Sequence, residues 1–489
     1  MPSFNEIPST LRVPFVAVEF DASAASQGPA LLKYRGLIIG QKLAAGTATA
    51  DTLYRVSNAD EVIPLAGAGS MLHRQAIAWF KANKATEVWI GVLDDDGAGV
   101  KASGTITVTV TTAEDGTIAL YLGGERITVG VSAGDTQNAI AAAIAAAINA
   151  RTDLAVTALA AANVVTVTYR HKGLVGNSFD MRDSYRDGES LPEGVTVVYV
   201  ALSGGTANPS LTALIAALGD SWFNVWTHPY TDATSLTAIE AELSSRFGPM
   251  RMIDGVAVTS AAGTLSTLST LGLTRNSQHG VIVAQPGKNP LTPPSEFASE
   301  VAALAAFYGA IDPARPFQTL AMFHALPPVE GDLFTLEERN TVLFDGIATT
   351  RAGAGGVVQL DRLITTYRKN AADADDTAYL DVTTLLTLMY LRYSFRVRMQ
   401  NRYPRHKLAN DGVRLGPGQP VITPKIGKGE AIGWFRDMEE LGLVENFDQF
   451  KTDVIVARSL TDPNRLEFLL PPDLINQLIV TAAQIQFRL

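Results

Sequence analysis

From residue 35 onward, short apolar runs alternate with segments whose apolar residues recur every three or four positions, the period of helices packed on a sheet. The run GLIIG at 36–40 predicts a strand. SMLHRQAIAWFKAN at 70–83 predicts a helix with Leu72, Ile77 and Phe80 inward, and EVWIGVL at 87–93 the next strand. The alternation breaks at DDDGAGVKASG and resumes near residue 208. There NPSLTALIAALGD reads as a helix opened by Asn208 and Pro209, followed by strand WFNVWTH, helix SLTAIEAELSSRFG and strand MIDGVAVTS. A Leu-spaced helix over 264–273, strand GVIVAQ at 280–285 and helix PPSEFASEVAALAAFYGA complete the series. Strand, helix, strand in this order implies parallel strands joined by crossovers, so the expected core is an α/β layered domain in two parts, 35–97 and 206–410.

Between those parts the pattern changes period. GTITVTVT at 104–111 and VVTVTY at 164–169 alternate Thr with Val or Ile, and LYLGGERITV places a Gly-Gly pair between two strand-like runs, a hairpin signal. DTQNAIAAAIAAAINA aligns Ile140, Ile144 and Ile148 on one stripe, with Asp135 or Thr136 as its cap. A β-rich module is therefore expected over 98–205, entering and leaving through one loop, with no need to touch the α/β core and hence dispensable for assembly.

The Gly/Pro stretch DGVRLGPGQPVITPK marks another boundary, after which 411–478 reads as an α+β unit. KGEAIGWFRDMEELGLV spaces Ile432, Phe435, Met438 and Leu441 on one helix face. DVIVARS and RLEFLLP flank the turn LTDPN as a hairpin, and a short helix is expected from Asp473 to Leu478. The last residues alternate Ile485, Phe487 and Leu489 with Gln484, Gln486 and Arg488, the period of a half-buried strand at 479–489. RVPFVAVEFDAS at 12–23 is strand-like too, and ASAASQGPALL behind it has linker composition, so residues 1–34 read as an arm. Both ends look like detachable strands. They pair either within the chain or with a neighbouring copy by strand addition.

Composition narrows the possibilities. With 489 residues, 47% hydrophobic and 18% charged, the chain has ample material for a core. No apolar stretch is long enough to span a bilayer, MPSFNEIPSTLRVP has no leader pattern, and assembly in the cytoplasm is expected. Absence of cysteine excludes disulfides and thiolate metal sites, and a net charge of −10 disfavours nucleic acid as a partner.

Candidate chemistry is sparse. Loops after the parallel strands offer Asp94, Asp95, Asp96, His228 and Ser260, the residue types of a Ser-His-Asp triad, but Ser260 in VTSAAGTL lacks a Gly-x-Ser-x-Gly elbow. AGAGG at 352–356 precedes a strand-like VVQL rather than a helix, and no phosphate loop is present. The histidines are scattered and DADDT at 373–377 lacks calcium-loop spacing, so no catalytic residue, metal or cofactor is expected. The one conspicuous cluster is YLRYSFRVRMQNRYPRHK at 390–407, cationic and without an acid. There Arg392, Arg396, Arg398 and Arg402 either solvate a helix end or meet an acidic neighbour.

Several segments resemble contractile tail sheath proteins of bacteriophages, in the Mu-like group. They are LFDGIATTRAGAGGVVQLDRLITTYRKN (343–370), VENFDQFKTDVIVARSLTDPNRLEFLLPPDLINQ (444–477), the terminal AAQIQFRL and, more weakly, RVPFVAVEFDAS. The resemblance implies a subtilisin-like α/β core with an outward-facing inserted β-rich domain, a C-terminal α+β domain and extended terminal arms that knit neighbours together. It implies a virion component that polymerises helically with itself around the tail tube protein, meets baseplate and tail terminator proteins, and contracts to drive the tube through the host envelope, without membrane insertion. Val16, Val18, Phe20, Ile485, Phe487 and Leu489 would then be exchanged between subunits, and the hairpin carrying Val454, Val456, Leu466 and Phe468 would accept them. The Arg-rich helix would face tube or neighbour. Rivals are the sheath of a headless phage-derived particle or other contractile injection system, and, from another class, a subtilisin-like hydrolase.

Overall fold

The computed structural model of the chain describes residues 32–488 except 415 and 417. Expectations for Val16, Val18, Phe20 and Leu489 lie outside the described residues. Two compact units are distinguished among them, residues 33–390 with 474–488, and 391–473. The second begins well before the Gly/Pro stretch at 411.

The larger unit is built on a six-stranded sheet. Strand Arg35–Gln41 lies between Val225–Thr227 and Glu87–Leu93, parallel to both, and Val256–Ala261 and Gly280–Ala284 continue the parallel series. Leu53–Val56 closes the other edge antiparallel. Leu37, Ile38 and Ile39 are each 0–1% exposed, as a strand covered on both faces requires. One cover is the helix pair Met71–Ala82 and Pro294–Ile311. Helices Thr212–Leu218 and Ala233–Phe247 bring Leu214, Leu218, Ile239 and Leu243 against Leu37, Ile39, Trp226 and Ala257. The helix expected to open at Asn208 starts only at Thr212, because Asn208 spends its side chain on Asp232 and on the Leu174 N–H.

The inserted segment forms two antiparallel sheets. One holds Val195–Ser203, Lys101–Val110, Val164–Lys172 and Val156–Ala161 in that order, the other Glu125–Val131, Gly116–Leu122 and Met181–Asp183. Gly123 and Gly124 turn the hairpin with φ of 57° and 83°, a conformation that side chains with a Cβ resist. Thr136 is the cap of helix Gln137–Ala150, whose Ile140, Ile144 and Ile148 are buried; Asp135 bonds the Ser132 N–H instead. Entry and exit lie side by side, with Val100 and Thr206 exchanging backbone hydrogen bonds of 3.1 and 3.2 Å.

The module nevertheless bonds to the core through buried side chains, contrary to the expectation that it need not touch it. Arg74, 4% exposed, donates Nε and Nη2 to Glu296 at 2.9 and 2.7 Å and Nη2 to Glu125 of the inserted hairpin at 2.9 Å. His324 Nε2 lies 2.6 Å from the same Glu296. His171 of the module is fully buried, and its Nε2 accepts the Met71 N–H at 2.9 Å, so Nδ1 carries the proton that bonds Asp95 at 2.9 Å.

Candidate assembly interface

In the unit 391–473, helix Pro424–Glu440 begins on Thr423, whose hydroxyl accepts the Ile426 N–H, with Pro424 in the first turn. Its inward face is Gly427, Ala431, Trp434, Phe435 and Met438. Phe435 and Met438 of the face expected from sequence are buried as expected, whereas Ile432 is half-buried and Leu441, just past the helix, is 41% exposed. Gly427 lets the hairpin approach: a Cβ there would sit 3.1–3.2 Å from Leu466, Val456 and Phe468. Phe435 stacks on Phe450 with centroids 4.2 Å apart, and Phe395 meets Trp434 and Phe468 edge-on at 5.3 Å each.

The hairpin pairs Ile455–Arg458 with Leu466–Leu469 antiparallel, Val456 opposite Phe468. Val456, Leu466 and Phe468 are half-buried toward the helix, whereas Ile455 and Leu469 are exposed on the other face. Val454, expected among the strand residues, instead ends helix Phe447–Asp453 and is buried. Among the described residues neither strand has a second ladder partner, so each keeps one open edge able to take an added strand.

The basic cluster lies on helix Val382–Arg402. Arg398 is engaged within this unit, at 2.9 Å from Glu430 and 2.5 Å from Asp437, and Arg402 lies 3.0 Å from Glu430. Burial pushes the Glu430 carboxyl up, but hydrogen bonding and charge from Arg398, together with Tyr403 and Arg402, hold it below the usual range. Two of the four arginines thus brace one helix on the next. Arg392 and Arg396 are half-buried on the same helix.

The helix expected at Asp473–Leu478 is absent: Asp473–Leu474 is a two-residue strand and no helix follows. The chain is held there by tertiary bonds instead, Gln477 Nε2 donating to the Thr383 hydroxyl and Gln318 donating to the Leu478 carbonyl at 3.1 Å. Beyond it, residues 481–488 are exposed and join no ladder among the described residues, with Ile485 and Phe487 at 88% and 80% exposure. The alternating pattern is present without its partner.

The triad residues share no hydrogen bond with one another. Ser260 Oγ borders a cavity of about 250 Å³ at the ends of the parallel strands but donates to the Val283 carbonyl at 2.9 Å. His228 is buried, and burial pushes its pKa down to about 4. Asp94 pairs with Lys42, Asp96 accepts the Ala98 N–H, and Asp95 is held by Gln41, His171 and the Lys172 N–H. Burial raises Asp95, but these hydrogen bonds outweigh it and leave the carboxyl below its ordinary value. Sequence reasoning missed this anchor, and also Arg74, Glu125, Glu296 and His324. Among the described residues no cluster of His, Asp or Glu could hold a metal ion, and no helix is long and apolar enough to cross a membrane.

Comparison with known proteins bears on the whole length. Residues 97–196 match the phage tail sheath protein beta-sandwich domain, 204–366 the phage tail sheath protein central domain, and 374–488 the phage tail sheath C-terminal domain. Across 488 residues, 100% of this chain and 99% of the relative, the sequence is 41% identical to the Mu-like prophage FluMu tail sheath protein of Haemophilus influenzae. Among solved structures, the sheath tail protein of Desulfitobacterium hafniense aligns over 94% of this chain and 100% of its own at 14% identity and a TM-score of 0.49. The sheath tail protein of Listeria innocua aligns over 93% and 95% at 14% identity and 0.49. By its end-to-end likeness to the Haemophilus protein, this chain belongs to the phage tail sheath family, in its Mu-like group.

Proposed function

We propose that the chain is the structural subunit of a contractile phage tail sheath, polymerising helically around a tail tube and shortening to drive that tube through the host envelope. The observation that carries this reading is the 41% identity over the full length to a Mu-like prophage tail sheath protein. Two features of the chain support it: apolar Ile485 and Phe487 held in water, and a hairpin with open edges. In this reading Ile485, Phe487 and Leu489 of one subunit, and Val16, Val18 and Phe20, add strands to a neighbour, and the hairpin with Val456, Leu466 and Phe468 receives one. The core is subtilisin-like in plan and serves as a rigid body rather than an enzyme, in keeping with Ser260 being hydrogen-bonded to Val283 and His228 being buried. Contraction draws on the free-energy difference between two packings of the same subunits, set at assembly. Arg392, Arg396, Arg398 and Arg402 are the candidates for a tube or neighbour contact, and tube, baseplate and terminator proteins are the expected partners. Electron microscopy of the purified full chain, mixed with tail tube and baseplate proteins as template, tests the proposal: helical tubes are expected, and a protein that stays monomeric or forms only amorphous aggregate on that template contradicts it.

A further inference from the structure

Two buried imidazoles meet at the turn that leads into helix Met71–Ala82, where the inserted domain bears on the core. Gly69 and Met71 each direct a backbone N–H at a ring nitrogen, Gly69 at His73 Nδ1 at 3.2 Å and Met71 at His171 Nε2 at 2.9 Å. His73 belongs to the core helix and His171 to the inserted strand Val164–Lys172, so one turn is held from both sides of the boundary. Both rings are shut off from water, at 4% and 0% exposure. A ring nitrogen that accepts a hydrogen bond carries no proton, which makes both histidines neutral, His73 protonated on Nε2 and His171 on Nδ1.

The turn is wedged against the inserted domain. Gly69 has a φ of 71°, and a Cβ there would fall 2.3 and 2.7 Å from the carbonyl oxygens of Leu154 and Thr152. The Met71 side chain sits in the inserted domain's own apolar cluster. Ser70, between them, is fully buried, and its Oγ accepts the His73 N–H at 3.1 Å. Displacing either N–H therefore moves a residue that touches the inserted domain.

We infer that this turn is an acid-sensitive catch: protonation of His73 and His171 expels the Gly69 and Met71 N–H groups and loosens the inserted domain's hold on the core, while the core sheet stays closed. A proton added to either accepting nitrogen would point straight at a backbone N–H. The closed turn refuses it, whereas the opened turn, in water, takes it. Burial, with Arg74 beside it, holds the His73 pKa down against Asp153, Asp60 and Glu296. Burial also lowers His171, with Lys101 and Arg170 on the same side and Asp95 opposing. Asp95 and Glu296 are themselves held below the usual carboxylate range despite burial, so they stay ionised in mild acid. With both histidines depressed in the closed form, the catch is whole above about pH 6.5. It weakens as the pH falls below that value, by up to about tenfold per histidine per pH unit.

Hydrogen–deuterium exchange of the full-length protein, corrected for the intrinsic rate at each pH, tests this. Between about pH 7.5 and about pH 5.5 the segment 66–73 is expected to lose protection by about 100-fold, a factor of roughly ten from each histidine. Strands Arg35–Gln41 and Glu87–Leu93 should keep theirs. In the variant His73→Asn with His171→Gln, amide oxygens that accept an N–H but do not titrate replace Nδ1 and Nε2, and protection should be the same at both pH values. Wild-type protection that changes less than about threefold overturns the inference. So does a full pH response in the folded double variant, since every carboxylate remains in place there. If the double substitution prevents folding, His171→Gln alone should reduce the loss to about tenfold, and an undiminished loss contradicts the catch.

Discussion

At the scale of single residues, the charges that matter most are those least visible in the sequence. Asp95 is the middle acid of DDDG, a composition that reads as a solvated loop, and His171, its partner, stands 76 positions away. No periodicity links the two. The same holds for Arg74, which a helical wheel assigns to an outer face until the inserted hairpin and helix Pro294–Ile311 close over it. Burial works against its charge, yet Glu296 and Glu125 more than offset that and push the guanidinium further up. Arg74→Met should leave Glu296 buried with only His324 beside it, lowering stability by about 3–5 kcal/mol, as expected when one member of a buried pair is removed. Arg402→Met, which breaks a pair with one member 30% exposed, should cost under about 1 kcal/mol. Thermal melts of both variants check the contrast, and equal shifts would refute the idea that the Arg74 network holds the inserted domain in place.

Among the elements, legibility followed the size of the side chains. The Gly-Gly hairpin, the Thr-Val strands and the helix capped by Thr136 were all readable, because alternation and cap chemistry are local. In helix Pro424–Glu440 Phe435 and Met438 mark the inward face, but the close approach to the hairpin is made at Gly427, which carries little hydrophobic signal yet admits Val456, Leu466 and Phe468. The stretch after Pro472 was read as a helix because its bonds to Gln318 and Thr383 are distant in sequence. Tertiary context also reverses the expectation for the inserted domain. Met71 of the core packs in the module's own apolar cluster, and Gln41, Asp95 and Arg74 all spend hydrogen bonds across the boundary. Replacing 98–205 with a Gly/Ser linker should therefore yield protein that melts well below the full chain or does not remain soluble. A replaced protein melting with the parent would show that these bonds add nothing.

For the whole molecule, the central claim is that the chain is incomplete until another copy supplies a strand. Burying Ile485 and Phe487 would stabilise by roughly 1.5–3 kcal/mol each, while ordering about ten arm residues costs on the order of 1–2 kcal/mol apiece. Apolar burial alone does not drive donation; ladder hydrogen bonds and several simultaneous neighbours must add to it, so free subunits should stay soluble until a tube or baseplate nucleates them. Fold class and the inserted module were legible because each repeats a period over many residues, whereas the alternation at 479–489 forms no strand among the described residues. The 455–469 hairpin was legible as well, from two strand-like runs around a turn, although Val454 ends the preceding helix instead of joining a strand. The most direct measurement is a truncation after Thr481, purified beside the full chain and compared by circular dichroism, thermal melting and electron microscopy under conditions in which the full chain forms tubes. The account predicts a folded protein with unchanged melting that forms no tubes; normal tubes from the truncated chain would contradict strand donation by the C-terminal arm.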